Sequence, residues 1–260
     1  MPAPSLCKPR PPAAYFALGK ASVPEEFTLE GKTYRLRELF KHDFFAATGL
    51  YERAADGQFA VLKIQRTHHY YGFPMRWLGR ILANHEVAVY ERLQGIQGIP
   101  EFLGRFGDTG LLHAFVPGHD LFTNGEVGPE FFDDLSRLFE EIHDRKVAYV
   151  DANKRENILH GEDGRPWLID FQISCIYPNP FFGILSMNPL GRYITRRCIR
   201  ADWYHFYKHK TRMVPAACTP EEFEKAKCPG VWHRLHRFFA RPVIQARRRL
   251  LSRYDLAKTR

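Results

Sequence analysis

The run Asp151-Ala-Asn-Lys-Arg-Glu-Asn157-Ile-Leu, followed by Glu162-Asp-Gly164 and then by Leu168-Ile-Asp170-Phe-Gln172, decides how this chain is read. It sets a carboxylate, an amide oxygen and a second carboxylate at the ends of short apolar segments. Hard oxygen donors of this kind suit a divalent cation such as Mg2+ and can orient a hydroxyl. The segment from Val147 to Ile173 therefore reads as a hairpin-like unit that pivots on Glu162-Asp163-Gly164.

Upstream, Phe131, Phe132, Leu135, Leu138, Phe139 and Ile142 mark one face of a helix, with Asp133, Arg137, Glu140 and Glu141 on the other. The apolar runs Phe102 to Phe106 and Leu111 to Val116 flank Gly107-Asp108-Thr109-Gly110 and predict a hairpin. Arg76 to Leu93 predicts a helix: Trp77, Ile81, Val87 or Ala88, and Leu93 recur at helical spacing, and Gly95 follows as a stop. The opening is strand-rich, with strands expected over Thr33 to Phe40, Phe44 to Tyr51 and Phe59 to Ile64, and Asp56-Gly57 as the turn before the third. Beyond Asn188 the chain is helical and basic, broken by Pro215, Pro220, Pro229 and Pro242.

These elements predict an α+β chain. A small antiparallel-sheet lobe spans 25–116, a helical lobe spans 117–260, and the connector Phe115 to Gly118 joins them beside a cleft for a nucleotide. Residues 1–24, crowded with Pro2, Pro4, Pro9, Pro11 and Pro12, are expected to form a flexible tail.

Composition narrows the classes. Among 260 residues, 45% are hydrophobic and 14% aromatic, enough to build a core and to exclude global disorder. The five cysteines form no C-x-x-C pair, and Lys8 and Arg10 interrupt any apolar leader core, so reduced thiols in a cytoplasmic protein are expected. Phe171 to Gly191 carries no charge and is long enough for a membrane span, but Pro178, Asn179, Pro180, Asn188 and Pro189 oppose a membrane-spanning helix there. The net charge of +9 is uneven, since residues 190–260 hold +13 and residues 1–189 hold −4. A basic quarter of this kind favours an acidic neighbour: an anionic membrane, touched peripherally at its inner face through the C-terminus, a nucleic acid, or a phosphorylated substrate. A plain solvated face of basic helices has the same composition. His205 and His209 lie one helical turn apart, yet no carboxylate or cysteine is spaced with them as a metal set.

The segments around Asp151, Asn157 and Asp170 resemble the catalytic and metal-binding segments of the protein-kinase superfamily, and the resemblance extends over roughly residues 35–205. It implies a two-lobed kinase-like fold and an ATP- and Mg2+-dependent transfer of the γ-phosphate to a hydroxyl. Ala60-Val-Leu-Lys63-Ile is similar to the family's V-A-I-K strand, which makes Lys63 the phosphate ligand and Glu86 its helix partner, with Glu91 as the alternative. Leu111-Leu-His-Ala-Phe-Val-Pro-Gly118 resembles the inter-lobe connector, implying adenine contacts from the backbone of Ala114 to Val116. By position Asp151 is the catalytic base, Lys154 reaches the transferred phosphate, and Asn157 and Asp170 hold the metal ions. Ala201-Asp202-Trp203 looks like the start of the helix whose buried aspartate caps the catalytic-loop backbone, and an ordinary helix N-cap is the other reading of Asp202.

The departures matter as much. Tyr149-Val150-Asp151 stands where H-R-D is expected, five residues separate Asp151 from Asn157 where the family has four, and Asp170-Phe171-Gln172 replaces D-F-G. No glycine-rich loop is present; Lys41-His-Asp-Phe-Phe-Ala-Ala-Thr-Gly49 takes its place, with Thr48 and Gly49 amides and the Lys41 charge as phosphate contacts. These omissions resemble the reduced bacterial kinases, namely lipopolysaccharide-core sugar kinases and RIO-type kinases. They imply a hydroxyl acceptor on a protein Ser/Thr or on a sugar or lipid-linked molecule. The alternative they leave open is a catalytically inactive pseudokinase that binds nucleotide or a partner.

Overall fold

The computed structural model describes residues 12–121, 127–178 and 189–227. Among them, 12–83 and 104–112 form one compact unit, and 84–103, 113–121, 127–178 and 189–227 form a second. The chain is a mixed α+β protein with one large sheet, two small ones and four α-helices among the described residues.

A six-stranded sheet has the order β1-β2-β3-β4-β6-β5, made of β1 (Glu26–Leu29), β2 (Lys32–His42), β3 (Ala46–Arg53), β4 (Phe59–Gln65), β5 (Phe102–Phe106) and β6 (Gly110–Ala114), of which β1 to β4 and residues 104–106 and 110–112 belong to the first unit. The three predicted strands of the opening are β2, β3 and β4, paired antiparallel, and β1 adds a short edge strand that sequence reading did not anticipate. Two register shifts between β2 and β3, at Leu36/Glu38 and Leu39/Lys41, interrupt the ladder, and bulges of this kind increase twist and bend the strand. Phe27, Tyr34, Tyr51 and Phe106 pack edge-on and stacked on one face of the sheet, with ring centroids 4.9 to 5.2 Å apart. The Asp56-Gly57 turn forms as expected, Gly57 taking φ 74° and Arg53 pairing with Asp56.

The expected flexible tail is corrected over its described part. Residues 12–24 pack on this sheet, burying Ala17 and Val23, because fully buried Arg66 gathers their backbone. Its guanidinium donates to the carbonyls of Ala14 (2.7 Å), Phe16 (3.3 Å), Phe44 (2.9 Å) and His69 (3.1 Å) and lies 4.2 Å over the Phe44 ring. Residues 1–11 of that expectation lie outside the described residues.

The helix α1 (Arg76–Leu93) begins and ends where its periodicity predicts. Its first half lies against the end of β4, where a Cβ on Gly79 would stand 2.1 Å from the Arg66 carbonyl oxygen, so only glycine fits. Its second half belongs to the other unit, so the chain passes between the units at 83/84, 103/104 and 112/113 and not at the expected 116/117. The reason is packing: Tyr90 of α1 stacks on His113 and meets Phe171 edge-on within the second unit.

That second unit is mostly helical. α2 (Pro129–Asp144) buries Phe131, Phe132, Leu135, Leu138, Phe139 and Ile142, the face its sequence pattern marks. β7 (Gly118–Asp120), β9 (Ile158–Gly161) and β10 (Pro166–Leu168) form a three-stranded antiparallel sheet, and the β9–β10 hairpin turns over Glu162-Asp163-Gly164 as expected. β8 (Val147–Ala148) pairs instead with β11 (Cys175–Ile176), beyond the predicted hairpin. α3 (Pro189–Met213) and α4 (Pro220–Lys227) complete the described part. Residues 228–260 of the basic C-terminal region lie outside it, and no helix among the described residues is long and apolar enough to cross a membrane.

Arg66→Met removes a buried cation from four carbonyls. The expected loss is about 2–4 kcal/mol of unfolding free energy in urea titrations, with new protease cleavage within residues 12–24. Unchanged stability and cleavage would show that these carbonyls do not depend on Arg66.

Candidate active site

The loop after β8 hangs from α3. The buried positions of α3, Thr195, Asp202, His205, Phe206 and His209, recur at helical spacing. From the interior of that stripe the Asp202 carboxylate accepts the N–H groups of Tyr149 and Val150, each at 2.7 Å, and His143 Nε2 lies 3.0 Å from it. The resemblance's anchoring role for Asp202 thus has its geometry here, but in mid-helix and not at a helix start or N-cap. Burial holds the Asp202 pKa above the ordinary carboxylate value, against the opposing pull of His143 and the two amides. His209 Nε2 lies 2.9 Å from the Ala152 carbonyl, and Lys208 Nζ donates to Asn153 Oδ1 at 3.2 Å. Among the described residues no group of His, Cys, Asp and Glu is placed to hold a metal on its own.

The loop so held is strained. Val150 takes φ 69°, a conformation that a β-branched side chain resists at a cost of about 1–3 kcal/mol, and its amide is one of the two fixed by Asp202. The next residue is Asp151, which is buried, and whose Oδ2 accepts Lys154 Nζ at 2.5 Å and Asn157 Nδ2 at 2.8 Å. Three of the sequence-predicted site residues therefore share one oxygen. The extra residue after Asp151 is absorbed by two successive turns, Lys154 N to Asp151 O and Asn157 N to Lys154 O. With Nδ2 committed to Asp151, the Asn157 side chain keeps its amide oxygen for another partner.

Asp170 stands in the same unit with φ 61°. Burial raises the Asp151 pKa most; Lys154 pulls it down, the Asp170 charge adds to the rise and Asn157 opposes it, so the net position is above the ordinary carboxylate value. Asp170 is positioned by its neighbour. Phe171 is fully buried and sits edge-on to Tyr149 (5.3 Å) and to Tyr90 (5.2 Å), while Tyr90 stacks in turn on Phe102 (6.1 Å). The Tyr149 hydroxyl is within reach of the carbonyls of Asn157 (2.8 Å) and Ile169 (2.5 Å), closing the column onto both candidate metal ligands.

The remaining predicted residues are distributed as follows. Glu86 is buried in α1, one turn before Tyr90, and both its charge and that of Asp170 bear on the Tyr90 hydroxyl. Lys63 is buried on β4 in the first unit, opposite Thr48 of β3. Ala114 has its N–H on the Glu101 carbonyl at 2.8 Å, and His113 Nδ1 lies 2.9 Å from its oxygen, so it keeps little to offer a base. Val116 is buried outside any strand and has no backbone hydrogen bond to another described residue.

The loop expected to contact phosphate differs. Asp43 Oδ1 accepts the amides of Phe45 (2.8 Å) and Ala46 (3.0 Å), and Lys41 pairs with its other oxygen at 2.9 Å. Burial works to raise the Asp43 pKa, but Lys41 and these amides outweigh it and hold the carboxyl below its ordinary value. Thr48 and Gly49 are interior residues of β3, so they present no turn of amides.

Compared with known proteins, the chain matches no family model and no curated protein. Sequence reading missed Tyr90 and His209 as contributors. The signal for Tyr90 is its i+4 spacing from Glu86; for His209 the sequence offers a metal-ligand spacing to His205 but no mark of a partner for a loop carbonyl.

Asp202→Ala leaves two buried amides and His143 without their acceptor, and about 3–5 kcal/mol of unfolding free energy should be lost in urea titrations. Asp202→Asn, which keeps one acceptor oxygen, should lose roughly half as much. A loss within the error of the measurement for Asp202→Ala would show that the loop is not hung from this carboxylate.

Proposed function

We propose that this chain is a small protein-kinase-like phosphotransferase, the six-stranded unit serving as its nucleotide lobe and the helical unit as its catalytic lobe. The observation that carries the reading is the cluster on Asp151 Oδ2, with Lys154 and Asn157 bonded to one buried carboxylate on a loop anchored by Asp202 and influenced by the Asp170 charge. A buried carboxylate with a raised pKa is suited to take a hydroxyl proton while keeping the hydroxyl aligned. Lys154, held against it, is a cation within reach of an incoming phosphate.

The donor set fits Mg2+. The Asn157 amide oxygen and the Asp170 carboxylate are hard oxygen ligands, and two protein ligands plus phosphate oxygens are a usual complement for that ion. When bound, the ion supplies neutralisation of phosphate charge. Lys63 is the phosphate ligand that the resemblance implies, and the backbone at Val116 supports the adenine contact better than Ala114 does. The acceptor is a hydroxyl of a protein Ser/Thr or of a sugar or lipid-linked molecule such as a lipopolysaccharide core sugar. The basic C-terminal region supports an anionic membrane or nucleic acid as its neighbour.

One observation favours a second reading, a nucleotide- or partner-binding module without transfer. Asp43 takes the amides of Phe45 and Ala46 in the segment that stands in place of a phosphate-covering loop, and pairs with Lys41, the cation expected to contact phosphate.

ATP consumption by the full chain in the presence of Mg2+, with mixtures of lipid extract, sugars and proteins as acceptors, separates the two. Asp170→Ala and Lys63→Ala should each lower the rate about 10²- to 10³-fold, as for loss of a preorganised charge-stabilising group. Equal rates in native chain and Asp170→Ala would remove the enzymatic reading, and nucleotide-dependent thermal stabilisation of both would then support the binding module.

A further inference from the structure

Two thiols meet beside the Asp202 anchor. Cys175 opens β11, and Cys198 lies on α3 one turn before Asp202, with 3.6 Å between their sulfurs. Both are half-buried, so each is reachable by a small oxidant while held by surrounding structure. The setting ties them to the candidate site from two sides. Cys175 is registered with Ala148, the residue before Tyr149, and its neighbour Ser174 has its hydroxyl 3.3 Å from the Tyr149 carbonyl and its own carbonyl 2.8 Å from His85 Nε2 of α1. Cys198 shares the face of α3 that carries Asp202.

We propose that Cys175 and Cys198 form a reversible thiol–disulfide site, responsive to hydroperoxides, that staples α3 to β11, the strand paired with β8 ahead of the Asp151 loop. The two sulfurs share one S–H···S contact, which lowers the Cys175 thiol and raises that of Cys198. Cys175 is taken as the attacking thiolate and Cys198 as the resolving thiol, and the exchanged roles give the same disulfide. The Cys175 sulfur attacks one oxygen of hydrogen peroxide, the O–O bond breaks, and a sulfenic acid and one water result. The Cys198 sulfur then attacks the sulfenic sulfur, the S–O bond breaks, and a second water leaves as the S–S bond forms. Two thiols are oxidised by two electrons and one peroxide is reduced to two waters. A dithiol reductant reverses the change by thiol–disulfide exchange. The inference does not rest on phosphotransfer, because it concerns the anchor of the loop and not the reaction there.

The test uses the full-length chain, reduced and then exposed to hydrogen peroxide at a small molar excess, alkylated with N-ethylmaleimide, digested and analysed by mass spectrometry. Cys218, also half-buried and with its thiol on the Val214 carbonyl at 3.3 Å, is the internal reference. The expected result is a peptide pair joined through Cys175 and Cys198, both unalkylated, with Cys218 alkylated and the link abolished by dithiothreitol. In Cys198→Ser the link should vanish and Cys175 should stop at the sulfenic acid, trapped by dimedone. Alkylation of Cys175 and Cys198 to the same extent as Cys218 after peroxide, or a link from either one to a different cysteine, overturns the proposal; the native chain alone decides this, whatever the folding of the variant.

Discussion

The described structure of the helical unit depends on one buried carboxylate. Placing Asp202 out of water is costly unless its oxygens are saturated with donors. Here the donors are the amides of Tyr149 and Val150 and the His143 ring at the end of α2. The same three contacts that make the carboxylate tolerable fix the position of the loop that follows β8 relative to α2 and α3. They also sustain a backbone conformation at Val150 that the residue would leave if its amide were released. Strain of this kind persists only where surrounding structure over-determines it. Asp151 is the next residue, and its orientation toward Lys154 and Asn157 is a consequence.

A second support acts on Asp170 by a different force. The rings of Tyr149, Phe171, Tyr90 and Phe102 form a continuous column within the unit, and Phe171 is fully enclosed by it. Aromatic rings buried edge-to-face are held by area and by geometry together. Phe171 therefore cannot shift without opening the column, and Asp170, one residue earlier in a left-handed conformation, shifts with it. Tyr149 belongs to both systems, its amide on Asp202 and its ring on Phe171. The polar anchor and the apolar column meet at that residue.

Much of this was legible in the sequence, and the limits have physical causes. The buried face of α2 follows from periodicity because that helix sets an apolar stripe against a clear polar remainder, whereas in α1 the bounds match but Trp77 and Ile81 of the expected face are exposed. The β9–β10 hairpin followed from its Glu-Asp-Gly turn. The packing of residues 12–24 did not, because proline content reports the local chain and says nothing of a distant arginine, and Arg66 lies about fifty positions away from the carbonyls it gathers. The assignment of the second half of α1 to the helical unit was hidden for a similar reason. A helix is continuous to its own hydrogen bonds, and only long-range contacts reveal that its two halves serve different cores. Within the site, residue types and spacing named Asp151, Lys154 and Asn157, but not that they share one oxygen atom.

The two capped loops make an instructive pair. At Asp202 a carboxylate from a distant helix takes the amides of the Asp151 loop deep in the unit, and at Asp43 a carboxylate takes the amides of its own β2–β3 turn at the surface. The first arrangement leaves the side chains of the loop available for chemistry while the backbone is spoken for. The second ties up the Phe45 and Ala46 amides and places a negative charge in the turn. Because Asp43 is partly exposed and neutralised by Lys41, its effect is screened and modest compared with a buried charge. On the phosphotransfer reading, phosphate binding must then draw on side-chain cations and on the oxygen donors of Asn157 and Asp170 more than on backbone amides. Affinity for the triphosphate would rise and fall with the divalent ion, which is a different dependence from that of a loop built of glycines.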